Sequence, residues 1–214
     1  GPEGVRDRRG GGIAGTVAAL VHSGEPVLVV GADAPLRAAQ LGSILGGFAL
    51  CSHAALARRP ALAAPFAHLV AVDPPAGPEE EARLFGHAGA RVVHLAWGAD
   101  ELDFAVRIHE REHDLRAPLA AVYRALRDRG AAEGEELETA LRGQPGATRS
   151  PAVAGRALRI LAELGLVSLD PETPRVVVPA AERTSLERSA TYRHCQRRRE
   201  DGLRYLTGAT ERAA

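Results

Sequence analysis

Between residues 27 and 97, short runs of consecutive apolar residues alternate with stretches in which apolar residues recur every three or four positions. Val27, Leu28, Val29 and Val30 form one such run, with Pro26 before it and Gly31 after it, and predict a strand buried on both faces. A turn over 31–34 follows. Pro35, in a first-turn position, then opens a helix carrying Leu36, Gln40, Leu41, Ile44 and Leu45, closed by Gly46 and Gly47. The same reasoning predicts a strand over 48–51, a helix over 54–64, and a strand over 68–73 stopped by Pro74 and Pro75. A helix over 79–86 begins with three glutamates, where the positive end of the helix dipole favours them, and 91–97 is the last strand. Continuous apolar strands separated by helices predict an α/β domain over 1–98, with a parallel, Rossmann-like sheet covered on both faces.

The periodicity then changes. A bridging helix is expected over 99–116, and Pro118 restarts a helix through 129 with Leu119, Val122, Tyr123 and Leu126 on one side. A short helix over 135–142 and a turn over 143–146 lead to Ser150-Pro151, an N-cap followed by a first-turn proline. That helix presents Val153, Ala157, Ile160, Leu161 and Leu164 and stops at Gly165. Two short apolar segments, 166–169 and 175–178, flank Asp170-Pro-Glu-Thr-Pro174 and predict a hairpin. Three helices ending in a hairpin define an expected winged helix over 117–180, with a basic C-terminal helix over 181–214.

Composition narrows the class. The chain has 214 residues, 45% of them hydrophobic, which suffices for a real core. No apolar run approaches the roughly 20 residues of a membrane helix, and no basic-then-apolar leader opens the chain, so no membrane partner is expected. Two cysteines make a disulfide framework improbable, and the cytoplasm is the expected compartment. All 27 basic residues are Arg, and Lys, Met and Asn are absent together, a pattern that high-GC codon usage explains without phosphate recognition. A start at Gly1-Pro2 in place of Met is expected of a segment cut from a longer protein. Net charge is zero but unevenly spread: 10 Arg and 14 acids through Leu115 give −4, and 17 Arg and 13 acids from Arg116 give +4. The second half is the expected face for an anionic partner.

Three patterns carry candidate chemistry. Gly10-Gly-Gly-Ile-Ala-Gly15-Thr16 resembles a phosphate loop, and the strand ending at Asp73 resembles the one whose aspartate holds magnesium in such ATPases. Thr16 stands where the loop needs Lys, and no strand is expected before it, so the loop is read as a degenerate P-loop relic. His109-Glu-Arg-Glu-His113 matches the zinc-peptidase spacing, which sets two imidazoles on one helix face beside a general base. Its charged interior, Arg111 and Glu112, belongs instead to a solvated helix, so zinc is not expected and no cofactor is assigned to the chain. Finally, Arg149, Arg156 and Arg159 lie on or beside the third helix of the winged-helix pattern, and Arg193, Arg197, Arg198 and Arg199 continue the positive charge along the tail. These seven are the candidate contacts for nucleic acid or an acidic partner. With few aromatics, a base-stacking platform is not favoured.

The order of His94-Leu-Ala-Trp-Gly-Ala-Asp-Glu-Leu-Asp-Phe104, Leu158-Arg-Ile-Leu-Ala-Glu-Leu-Gly-Leu-Val167, Leu186-Glu-Arg-Ser-Ala-Thr-Tyr192 and Arg197-Arg198-Arg199 resembles the C-terminal part of RecJ-type single-strand-specific DNA exonucleases of high-GC bacteria. The resemblance spans roughly residues 5–206, and the Asp-His-His triplet that binds catalytic metal in that family is absent. It implies a non-catalytic accessory region of a 5′-to-3′ exonuclease of recombination and repair. The implied partners are single-stranded DNA, single-stranded-DNA-binding protein and the catalytic domain of the same parent chain. A free-standing winged-helix regulator of duplex DNA is the alternative, and the zinc peptidase a remote third.

Overall fold

The computed structural model describes residues 3–146, 148–170, 172–180 and 184–211. The chain divides into two compact units, one of Gly1–His109 with Asp201–Ala214, the other of Glu110–Glu200. Both divisions fall inside helices.

The first unit is α/β. Five parallel strands, β1 (Val5–Asp7), β2 (Val27–Gly31), β3 (Ala49–Ser52), β4 (His68–Ala71) and β5 (Val92–Leu95), lie in the order β1-β5-β4-β2-β3. Alternate residues of each strand point to opposite faces, so a two-sided core needs apolar residues of both parities. Val27, Val29, Val70 and Val72 pack with Ile13, Val17 and Leu20 of α1 (Ile13–His22) and Leu41 of α2 (Ala34–Gly42). Leu28, Val30, Leu69 and Ala71 pack on the other face with Leu56 of α3 (His53–Arg58) and Leu84 of α4 (Pro78–Phe85). The helices of this unit also include the first part of α5 (Ala99–His113) and the last part of α9 (Ala190–Glu211).

Several local expectations are corrected. A strand does precede the glycine loop: β1 pairs with β5 through Val5↔Val93 and Asp7↔Leu95. It is an edge strand with a single apolar residue, which leaves no periodic signal. The helix expected over 54–64 is broken at Arg59, because Pro60 disfavours the helical conformation of the residue before it, and Pro60–Ala63 continue as a 3₁₀ turn. Helix α2 ends at Gly42, with Ile44 and Leu45 beyond it.

In the second unit, α6 (Arg116–Arg127), β6 (Ala131–Glu133), α7 (Gly134–Arg142), α8 (Pro151–Glu163), β7 (Ser168–Asp170) and β8 (Arg175–Val177) follow in chain order. The strands form an antiparallel sheet, β6-β8-β7, in which Val176 pairs with both Ala132 and Leu169. Strand β6, two alanines and a glutamate, carries no pattern in the sequence. The core joins Leu119, Val122 and Leu126 to Val153, Ala157, Ile160 and Leu161, closed by Val176 and by Tyr192 and Cys195 of α9. Ser150 caps α8 by accepting the Val153 N–H at 3.1 Å, and Gly165, at φ 68°, takes the chain out of it. Glu163 then anchors the start of α9. Its carboxylate accepts from the Ser189 hydroxyl at 2.6 Å, the Thr191 amide at 3.1 Å and the Thr191 hydroxyl, and these bonds hold its pKa down at about 2. Pro171 of the hairpin turn and residues 181–183 and 212–214 of the expected tail segment lie outside the described residues.

Candidate functional site

In an open parallel sheet, ligands settle beyond the C-terminal ends of the strands where the chain reverses its direction of winding. Here that point lies between β2 and β4, since the chain leaves β2 for β3 on one side and returns to β4 on the other. Asp73, fully buried, stands just past β4. Its carboxylate accepts from the Ala32 amide at 2.8 Å and from Arg37 Nε at 3.0 Å, and Arg37 Nη2 makes a second, shorter contact. Arg37 is itself 3% exposed, with its guanidinium 4.0 Å from the centroid of the Phe104 ring and another nitrogen bonded to Gln40. A Cβ on Gly31 would stand 2.9 Å from the Asp73 carboxylate, so the close approach requires glycine at the end of β2. The His53 ring bonds through Nε2 to the Asp73 carbonyl at 2.8 Å. The crevice is thus filled by the protein's own ion pair. Asp73 is thereby committed to Arg37 and to the Ala32 amide.

The glycine loop does not complete such a site either. Strand β5 lies between β1, which leads into the loop, and β4, which leads to Asp73. The Thr16 hydroxyl donates to the Gly12 carbonyl at 3.0 Å, inside the first turn of α1.

On the same sheet, four side chains form a hydrogen-bonded chain whose proton positions follow from its first donor. Arg8 Nε donates to His94 Nδ1 at 3.1 Å, so a neutral His94 carries its proton on Nε2 and donates to His68 Nδ1, also at 3.1 Å. His68 then donates through Nε2 to Glu25 at 2.6 Å. Burial, aided by the positive charges of Arg8 and Arg6, pushes the His94 pKa down to about 4. Glu25 and His68 border an open cleft of about 510 Å³ with Glu3, Gly89 and Arg91.

The zinc-peptidase spacing is met by other demands. His109 is buried, its ring packed on Gly202 of α9. Glu110 pairs with Arg199 at 3.3 Å, and Glu112 takes Arg156 both at its carboxylate, at 3.4 Å, and at its backbone carbonyl. Among the described residues, no three of His, Cys, Asp and Glu come together as a metal site.

The seven candidate arginines separate into two groups. Arg149 donates to the carbonyls of Leu141 and Ala140 at 2.8 and 2.6 Å, fastening the end of α7, and burial lowers its pKa. Arg156 and Arg199 are tied to α5, with Arg199 also 4.0 Å from Asp114. These three hold the fold. Arg159 is exposed on α8 and pairs with Glu163 at 3.2 Å, while Arg193 reaches the Glu187 carbonyl. Arg193, Arg197 and Arg198 are exposed on α9. A further group escaped the sequence reading: Arg116, Arg124 and Arg127 are all exposed on α6, outside the face that buries Leu119, Val122 and Leu126. Their spacing of eight and three residues was the available signal.

No family model, curated protein or solved structure matches this chain.

Proposed function

We propose that the chain is the non-catalytic C-terminal region of a RecJ-like 5′-to-3′ single-stranded-DNA exonuclease, and that its second unit is a winged-helix module that docks single-stranded-DNA-binding protein. The observation that carries this reading is the element order α6-β6-α7-α8-β7-β8 with the sheet order β6-β8-β7, three helices and a hairpin returning beside the first strand. The resemblance to RecJ supplies the enzyme, and the exposed arginines of α9 supply a surface for an acidic tail. Docking fits better than groove reading by α8: of its candidate arginines, Arg156 turns to Glu112 and Arg159 to Glu163, and the neighbouring exposed positions are Pro151, Ala152 and Gly155. In the first unit, the plugged crevice at Asp73 and Arg37 suits a supporting scaffold, a role that needs no cofactor.

The test is fluorescence anisotropy with a labelled peptide of the acidic tail. Saturable binding is expected, weakened severalfold or more by the combined change Arg193→Ala, Arg197→Ala and Arg198→Ala. A parent chain that ignores the tail peptide contradicts the proposal.

A further inference from the structure

The exposed charge of the second unit is sorted by helix. On α7, Glu135, Glu136 and Glu138 are exposed, and its one arginine, Arg142, lies 3.7 Å from Glu138. On α8 the exposed Arg159 is already paired. Helix α6 is the reverse case, with three arginines and no acid among its 12 residues. At about 100° per residue, Arg116, Ala120, Arg124 and Arg127 fall in one sector roughly 80° wide, centred about 110° round the helix from the buried leucines. Ala117 borders it and is exposed as well. The Ser185 hydroxyl chiefly, and Arg116 to a lesser degree, lower the pKa of Glu187, but among the described residues no acid pairs with Arg124 or Arg127. The Arg127 guanidinium stands 5.9 Å from the centroid of the half-buried Tyr123 ring.

Helix stability does not account for this stripe. Arg124 and Arg127 complement the negative end of the helix dipole, but Arg116 sits in the first turn, where a cation opposes it. We infer that the exposed face of α6 binds the phosphodiester backbone of a single-stranded nucleic acid. The three guanidiniums run about 16 Å along the helix at 1.5 Å per residue, and the alanines between them let a strand lie close. Guanidinium forks suit phosphate oxygens, and the Tyr123–Arg127 pair offers a flat, cationic surface to an unstacked base. An acidic peptide is the poorer fit, because beyond Ala117, Ala120 and the partly exposed Tyr123 ring this face has nothing to receive its apolar side chains. The inference extends the docking role proposed above and depends on it only in placing partner contacts on the second unit.

The experiment is an anisotropy titration of the whole chain against labelled oligothymidylate over a series of salt concentrations, with thermal melts to confirm folding. Changing Arg116, Arg124 and Arg127 together to Ala should weaken binding and lower the salt slope by about 2 units, near 0.7 per lost single-strand contact. Tyr123→Leu should weaken binding while leaving the slope unchanged. The triple change at Arg193, Arg197 and Arg198 should leave the slope as in the parent. An unaltered slope in the α6 variant overturns the inference, as does a parent chain that binds polyglutamate but not oligothymidylate. Should the α9 variant lose the oligonucleotide instead, the α6 assignment fails while docking by the second unit stands. If the parent chain binds neither the oligonucleotide nor the acidic tail peptide, both fail.

Discussion

His109 of α5 and Gly202 of α9 are in contact so close that a Cβ at 202 would come within 2.2 Å of the imidazole ring. Glycine in the middle of a 22-residue helix costs stability relative to alanine, by about 1 kcal/mol in an exposed position. Here the packed ring reverses that preference.

Gly202→Ala is therefore expected to destabilise the chain, by about 1–3 kcal/mol as an overpacked site. Adding His109→Ala should recover part of the loss by making room. Urea denaturation of the two single variants and the double variant measures the coupling.

The Arg37–Asp73 pair predicts a different asymmetry. Changing Arg37→Ala leaves a buried carboxylate without its partner and is expected to cost about 3–5 kcal/mol. Replacing both residues by apolar ones of similar size, Arg37→Met with Asp73→Leu, should cost less than the single change. Denaturant midpoints for the two variants decide it.

Histidine 94 sets an acid limb to stability. Its folded pKa, about 4, lies below the ordinary 6.5, so between these values the unfolded chain binds the proton that the folded chain refuses. Its contribution is therefore full above about 6.5 and is lost as pH falls toward 4, with a limiting slope of about 1.4 kcal/mol per pH unit. His94→Gln, which removes the titrating group, should flatten stability across that window. Urea midpoints at several pH values in parent and variant measure it.

Glu163 acts lower on the pH scale. Its folded pKa of about 2 lies below the ordinary 4.5, so its stabilisation is present above 4.5 and is lost as pH falls toward 2. Glu163→Ala also removes the acceptor for Ser189 and Thr191, and should fray the start of α9. Hydrogen exchange of the Thr191 amide is expected to quicken, with slower change in the α8 interior.

What was legible in the sequence was the part written in local periodicity. The runs at Val27 and Leu69 announced buried parallel strands, and Ser150-Pro151 and Gly165 marked both ends of α8. Strands β1 and β6 were not legible, because Val5-Arg-Asp7 and Ala131-Ala-Glu133 hold little apolar area and owe their pairing to a neighbour far along the chain. The site followed the same division. Asp73 and Arg37 meet across 36 residues, and no local signal joins them. The adjacent Arg197, Arg198 and Arg199 look like one cluster, but successive helical residues point about 100° apart, and Arg199 turns to Glu110 and Asp114. Charge proximity in sequence overstated that patch, while the wider spacing on α6 hid another.

The claim that this chain assists an exonuclease without performing the chemistry is tested most directly on one native gel. Labelled single strands, single-stranded-DNA-binding protein and the chain are incubated together with manganese. The account predicts an intact strand and a further shift of the protein–DNA band when the chain is added, much weakened when the binding protein lacks its acidic tail. Strand cleavage that co-purifies with the chain through successive columns, or a further shift undiminished without the tail, would contradict it.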